Sequence, residues 1–132
     1  MLAVLMILAC GGFGQSQEAA QADPGWTEGL WMGRALTVRA GLEESLGLVG
    51  QGDPTGAAEL ALQVYEGSFE PELEPAIRAV LGRRAAAGLE FRFGITVDGL
   101  GGGASGDAGV AELLESLDEA AARLDEQKVG LR

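Results

Sequence analysis

The sequence lacks histidine altogether, and it contains a single cysteine, Cys10. Without histidine, the chain has neither the commonest metal ligand nor the usual general base near neutral pH. A single cysteine excludes an internal disulfide, and no nucleophile motif is evident. The sequence therefore predicts that the protein is not an enzyme, and a metal site would have to be built from oxygen ligands.

Basic residues and aromatic rings are also scarce. Nine lysines and arginines stand against 20 acidic residues, so the formal net charge is −11. This balance argues against nucleic acid as a partner, because phosphate binding requires a basic face. It favours a metal ion or a basic protein surface, although acidity can also serve only to keep a protein soluble. With 47% hydrophobic residues but only two Trp, one Tyr and four Phe, the composition favours closely packed helices.

An uninterrupted apolar run is found at the N-terminus, from Met1 to Ala9. The run is too short for a membrane-spanning helix, which needs about 20 residues, but it is typical of a secretory signal. Ile7-Leu8-Ala9-Cys10 resembles the bacterial lipobox, which implies that Cys10 is lipidated and becomes the mature N-terminus. A plain cleaved signal, or neither, is the alternative, since no lysine or arginine precedes the run.

Three regions follow from these features. We expect residues 1–10 to form the signal and lipobox segment. Residues 11–25, rich in Gly, Gln and Ala, are typical of a flexible linker. Residues 26–128 are expected to form one helical bundle domain. A lipid anchor would place this domain in the bacterial cell envelope, outside the cytoplasm.

The first two predicted helices have clear boundaries. The first runs from Thr27 to about Val49, and a break is expected between Gly50 and Asp53. Asp53 is a good N-cap for the second helix, and a proline follows at the first helical position. The apolar face of the first helix is Trp31, Ala35, Val38, Leu42 and Val49, with Ser45 completing the row. The inner stripe of the second is Ala57, Ala61, Val64 and Tyr65.

A proline is expected to end the second helix. Pro71 disfavours a helical conformation at the residue before it, which predicts an end near Ser68 or Phe69 and a break between Phe69 and Pro75. The third segment begins around Pro71 or Pro75 and runs to about Asp98, and Gly82 is a candidate point for its division into two pieces. A glycine-rich loop follows, from Gly99 to Asp107. Asp107 is expected to cap the last helix, whose apolar stripe is Val110, Leu113, Leu117, Ala121 and Leu124.

Four amphipathic segments with short connections predict an all-α fold. The expected architecture is a four-helix antiparallel bundle, preceded by the lipoprotein-like leader and the tether. No convincing strand is found, because the weakly alternating "FRFGITV" suits a helix equally well.

The stretch "VYEGSFEPELEP" carries the candidate site. We expect a helix–turn–helix corner in which Pro71 gathers carboxylates into a cation site and Phe69 anchors the corner in the core. The candidate ligands, all oxygen donors, are Glu70 and Glu74 first, Glu66 and Glu72 as alternates, and Tyr65, Glu90 and Glu44 as contributors from the surrounding helices. Oxygen ligands suit hard cations such as Ca²⁺ or Mn²⁺, and Fe³⁺ is also hard.

A purely structural interpretation of the same residues is the alternative. Glutamates in a first helical turn complement the helix dipole, and Glu72 and Glu74 could do only that. Glu90 could pair with Arg78, Arg83 or Arg92. Tyr65 could be a core ring with its hydroxyl at the surface. The protein would then be a non-catalytic, acidic helical interaction module of the cell envelope without a metal site.

The order of several short motifs resembles a known family. From about Leu42 to Glu126, the chain is similar to the extracytoplasmic helical domain of the bacterial high-affinity iron permeases. The matching elements are Gly52-Asp53, Ala57-Ala58, Tyr65, Phe69-Glu70-Pro71 with Glu72 or Glu74, Glu90 with Phe91 or Phe93, and Leu117-Asp118-Glu119-Ala120. The family usually has one residue between the proline and the next glutamate, whereas here glutamates stand one and three positions after Pro71.

The resemblance implies a role in iron uptake without transport by this chain itself. The family's membrane helices, with their Arg-Glu-x-x-Glu motifs, are not found in this sequence. The resemblance therefore implies an extracytoplasmic accessory protein, which binds Fe³⁺ or Fe²⁺ through carboxylates and hands it to a membrane iron permease or another envelope protein.

Overall fold

The computed structural model describes residues 21–131, and this part of the chain is helical without any strand. The five α-helices are α1 (Leu30–Gly50), α2 (Pro54–Val64), α3 (Glu74–Val80), α4 (Arg83–Gly101) and α5 (Val110–Glu126). A π-helical segment, Tyr65–Leu73, joins α2 to α3 without interruption, so the described chain contains four continuous helices. The all-α prediction is confirmed. The predicted leader, including Cys10, and most of the linker lie outside the described residues.

The predicted break between Phe69 and Pro75 is wrong, because the chain stays helical through Pro71. In a regular α-helix, Pro71 would remove a hydrogen bond and its ring would clash with the carbonyl four residues back. In a π-helix, hydrogen bonds reach five residues back, as from the Glu74 N–H to the Phe69 carbonyl. This wider turn accommodates the ring, and the second helix ends at Val80 instead of near Phe69.

A row of residues at strict four-residue steps explains why the helix widens. The row is Ala57, Ala61, Tyr65, Phe69, Leu73 and Ile77, buried except for the half-buried tyrosine. With 3.6 residues per turn, each four-residue step in an α-helix rotates the side chain by about 40°, so a long row would spiral around the helix. The wider turns of the π segment reduce this drift. The row can therefore stay packed between α1 and α4, which both contact this helix.

Glycines mark the observed breaks that follow. Gly82 separates α3 from α4, as the sequence predicted, with a φ of 105° that suits glycine. After α4, the expected glycine-rich loop leads to α5. The prediction that Asp107 caps α5 is wrong, because the capping position is Gly109 with a φ of 78°, and no side chain caps this helix. Asp107 is exposed in the loop, two residues too early to cap.

The core faces predicted for the first and last helices are confirmed, except that Val49 is half-buried. The first-helix row is buried from Trp31 to Ser45, and all five stripe residues of α5 are buried. Asp53 caps α2 by accepting a hydrogen bond from the Gly56 N–H at 2.9 Å. Helix α1 packs against α2 and α5, α2 packs against α4, and α4 packs against α5. None of the helices within residues 21–131 is long and apolar enough to cross a membrane.

A carboxylate of the last helix caps the first. Helix α1 has Gly29 at its own capping position, and no side chain there makes a capping bond. Asp125 of α5 accepts hydrogen bonds from the backbone N–H groups of Trp31 and Met32 at 3.0 and 2.9 Å, and from Trp26 Nε1 at 3.1 Å. The N–H groups of Trp31 and Met32 are at the second and third positions of α1, and an N-cap side chain normally accepts hydrogen bonds from these positions.

The two ends of the described chain also meet. The Asp23 N–H donates to the Lys128 carbonyl at 2.9 Å, and the Gly130 N–H donates to Asp23 Oδ2 at 3.2 Å. Trp31 Nε1 donates to the Val129 carbonyl at 2.6 Å. The contacts of the helical part therefore extend from Asp23 to Gly130, slightly beyond the predicted limits of the domain.

Candidate functional site

The structure separates most of the predicted ligands. Glu66 and Glu70 are exposed on the π segment. Glu72 points towards α1, where it forms an ion pair with Arg34. Glu44 is exposed on α1 and joins no ion pair among residues 21–131. Because the chain stays helical through Pro71, these four carboxylates are distributed over the surface and are not gathered at a corner.

Glu74 and Glu90, the acid pair, are the two predicted carboxylates that do meet. Glu74 is only 8% exposed, although it is a charged residue type. It lies where α3 packs against α4, and it contacts the Arg78 guanidinium that Glu90 of α4 also contacts. The fold therefore brings together two acids whose mutual repulsion has to be relieved.

Arg78 supplies part of that relief. Its Nη2 donates to Glu74 Oε1, one helical turn away on α3, and to Glu90 Oε1 at 2.9 Å on α4. The bridging guanidinium confirms one pairing considered for Glu90 from the sequence. What the sequence did not indicate is that Arg78 binds both carboxylates at once. The i,i+4 spacing of Glu74 and Arg78 was the available signal.

The surroundings of Glu74 change the pKa of its carboxyl group. Burial raises the pKa of the Glu74 carboxyl above its ordinary value of 4.5, and the hydrogen bond and charge of Glu90 raise this pKa further. Arg78 acts in the opposite direction and lowers the pKa of Glu74. The net increase therefore comes first from burial, with Glu90 adding to it and Arg78 opposing it only in part.

The Tyr65 phenol lies within the electrostatic influence of the acid pair. Burial raises the pKa of the Tyr65 hydroxyl, and the nearby charges of Glu90, Glu70 and Glu74 raise it further. Each of these negative charges disfavours a phenolate, so Tyr65 is neutral in this arrangement. A cation bound beside it would reverse that balance.

Aromatic packing fixes the position of Tyr65. Its ring lies 5.3 Å from the Phe93 ring of α4 and 5.6 Å from the Phe69 ring, measured between centroids. Phe69 and Phe93 are 4.8 Å apart, so the three rings contact one another. Phe69 is fully buried, which confirms that it anchors this region in the core.

A surface cavity gives access to the site. It has a volume of about 210 Å³ and lies between α2 and α4. Tyr65 and Glu90 form part of its wall, and the remaining lining residues are Leu62, Phe93, Gly94, Val97 and Asp98. A small ligand can therefore reach the phenol and one member of the acid pair from solvent.

The arrangement offers two carboxylates and one phenol as oxygen donors. Within residues 21–131, no group of three or more His, Cys, Asp or Glu side chains is arranged to hold a metal ion. A cation bound to the acid pair would therefore need Tyr65 or solvent to complete its coordination. Comparisons with protein-family models, with curated proteins and with solved structures found no match to this chain.

Proposed function

We propose that the protein captures a hard metal cation at the acid pair, with the Tyr65 phenol as a further ligand. The observation that carries the proposal is the burial of Glu74 against a second carboxylate. A buried carboxylate is costly unless it is paired or binds a cation. Here it meets another acid, and the single positive charge between them belongs to a side chain that is 48% exposed.

Arg78 holds the cation position in the absence of metal. Its guanidinium contacts the two carboxylates that a metal ion would bind. Because Arg78 is half exposed, it can rotate into solvent when a cation with two or three charges binds. Metal binding would then release Arg78 from both carboxylates. Oxygen ligands of this kind suit Ca²⁺, Mn²⁺ and iron.

Iron, as Fe³⁺ or Fe²⁺, is the cargo we propose. The support is the resemblance of the sequence to the outer domain of iron permeases, which includes Tyr65 and Glu90. On this proposal, the helices form an antiparallel bundle that a tether and a lipid on Cys10 hold at the bacterial envelope. The protein would pass iron to a membrane permease and perform no chemistry on it.

Calorimetric titration with an Fe³⁺ chelate, Fe²⁺, Mn²⁺ and Ca²⁺ tests the proposal. Binding of at least one cation is expected, and the double variant Glu74→Gln with Glu90→Gln should abolish it. Glu44→Gln with Glu66→Gln is the matched control, because it removes the same charge from exposed positions and should preserve binding. If no cation binds more tightly than millimolar, or if both double variants bind equally, the proposed site is wrong.

A metal-free interaction module is the second candidate function. It is favoured by two large apolar side chains on the outer face of α4, Phe91 at 69% and Ile95 at 49% exposure. They are four residues apart, so they share one face of the helix. Their partner would be a permease or another envelope protein. If Phe91→Ser with Ile95→Ser abolishes capture of an envelope partner while the acid-pair variant does not, this second function is supported.

A further inference from the structure

Three arginines of this acidic protein line one groove. The groove lies between α4 and α5, has a volume of about 260 Å³, and contains Arg84 and Arg92 of α4 and Arg123 of α5. None of the three forms an ion pair with a carboxylate of residues 21–131. Arg92 donates a hydrogen bond to the Ser116 hydroxyl at 2.9 Å. In a chain with 20 acidic and nine basic residues, three unpaired arginines in one place require an explanation.

The local charge is opposite to that of the whole chain. Glu119 is the acidic side chain among the lining residues. Three arginines and one glutamate give the groove a formal charge of +2, whereas the complete sequence carries −11. A small anion would therefore be attracted to this groove although most of the protein repels it.

The register of the two helices brings positive charges together. Arg92 contacts Ser116, and Gly99 lies against Ala108, so α4 and α5 run in opposite directions. Moving along α4 from Arg92 to Arg84 therefore corresponds to moving along α5 from Ser116 towards Arg123. This register brings Arg84 and Arg123 to the same level of the groove, which both line without an ion-pair partner, and two like charges at one level favour a ligand of negative charge.

The start of α4 adds to the positive potential. Arg83 and Arg84 occupy its first turn, which contains no acidic residue. No side chain caps the helix at Gly82. Cations at the N-terminus of a helix oppose its dipole, whereas anions are stabilised there. This placement of two arginines is unfavourable for the helix alone and becomes favourable when an anion binds.

We infer that this groove binds a small ligand with two or more negatively charged oxygens, such as a phosphate or a polycarboxylate. The planar guanidinium group matches such oxyanions with paired hydrogen bonds. The apolar side chains of the groove are Leu81, Ala85, Leu89 and Ala120, and they can contact the carbon part of a ligand. The site shares no residue with the acid pair, so it does not depend on the proposed cation site.

Titration at low ionic strength with inorganic phosphate, citrate and acetate tests the inference. Phosphate and citrate are expected to bind, and acetate, with a single charge, is not. Arg84→Gln, Arg92→Gln and Arg123→Gln should each weaken binding about tenfold, which is the effect of losing one charge-assisted hydrogen bond. Lys128→Gln is the control, because this cation lies over the Trp26 ring and does not line the groove, and its loss should change the affinity little.

Three outcomes would overturn the inference. The first is the absence of phosphate and citrate binding. The second is unchanged binding when Arg84→Gln and Arg123→Gln are combined in a variant whose circular dichroism shows an intact helical fold. The third is binding only to vesicles that contain anionic phospholipid and not to free phosphate. The third result would identify a lipid surface and exclude a small-ligand site.

Discussion

Two carboxylates link distant parts of this chain, and they do so in opposite ways. Asp125 on α5 accepts hydrogen bonds from three N–H groups near the start of α1. Glu74 on α3 instead meets another acid, Glu90, and a half-exposed guanidinium. Asp125 therefore has donors for its negative charge, whereas the acid pair carries more negative charge than Arg78 compensates.

The comparison indicates how a structural acid differs from a candidate ligand. The donors of Asp125 are mainly backbone groups that the fold fixes, so this carboxylate has no need of a cation. The charge of the acid pair is balanced by a side chain that can move away, and by a proton that can leave. We expect Asp125 to determine stability and the acid pair to determine binding.

Asp125→Ala should give the largest effect on stability. It removes the acceptor of three hydrogen bonds, two of them at the N-terminus of α1, and we expect the free energy of unfolding to fall by about 3 kcal/mol. Urea denaturation measures this change. Glu126→Ala, at the exposed neighbouring position, is the control and should change stability by less than about 0.5 kcal/mol. Equal effects of the two substitutions would show that the carboxylate does not cap α1.

Tyr65→Phe should have an effect of intermediate size, and it should weaken Fe³⁺ binding without changing stability. Loss of one oxygen ligand is expected to weaken Fe³⁺ binding about tenfold, or about 1.4 kcal/mol. The ring packing against Phe69 and Phe93 is preserved by this substitution, so the thermal midpoint should hardly change. Fe³⁺ bound to a phenolate absorbs visible light, and this band should disappear in the variant. A band that persists in Tyr65→Phe would mean that Tyr65 is not a ligand.

The smallest expected effect is a change in the free energy of unfolding with pH. The pKa of Glu74 is higher in the folded protein than its ordinary value of 4.5, so the folded state holds a proton that the unfolded chain loses. The contribution of Glu74 to stability is therefore fully present below pH 4.5 and is lost as the pH rises through the folded pKa. In urea denaturation over a pH series, the stability of the wild type relative to Glu74→Gln should fall over this interval. A difference that rises with pH would contradict the raised pKa of Glu74 in the folded protein.

Much of the fold could be predicted because it depends on local patterns. The stripes of α1 and α5, the Asp53 cap and the split at Gly82 each follow from residues close together in the sequence. The π segment was missed because the rule for Pro71 assumes regular α-helical geometry. The four-residue steps from Ala57 to Ile77 contained the missing signal, since a period longer than 3.6 favours a wider helix.

The candidate site was harder to predict, because it depends on contacts between helices. Glu74 and Glu90 were both named as ligands from the sequence, and they do meet. The sequence could not indicate that Glu72 pairs with Arg34, because this pairing depends on how the π segment packs on α1. For the same reason the capping of α1 by Asp125 could not be predicted, since its backbone donors Trp31 and Met32 lie more than 90 residues away.

The cation affinity of Arg78→Gln tests the central claim most directly. If Arg78 occupies the position where a metal binds, the guanidinium competes with the cation for Glu74 and Glu90. Its removal ends this competition and leaves both carboxylates available to the cation. The account predicts that the variant binds the cation more tightly than the wild type in calorimetric titration, and that Arg83→Gln does not. Weaker or unchanged binding in Arg78→Gln, with the helical fold intact, would contradict the claim that the acid pair is a cation site held by Arg78.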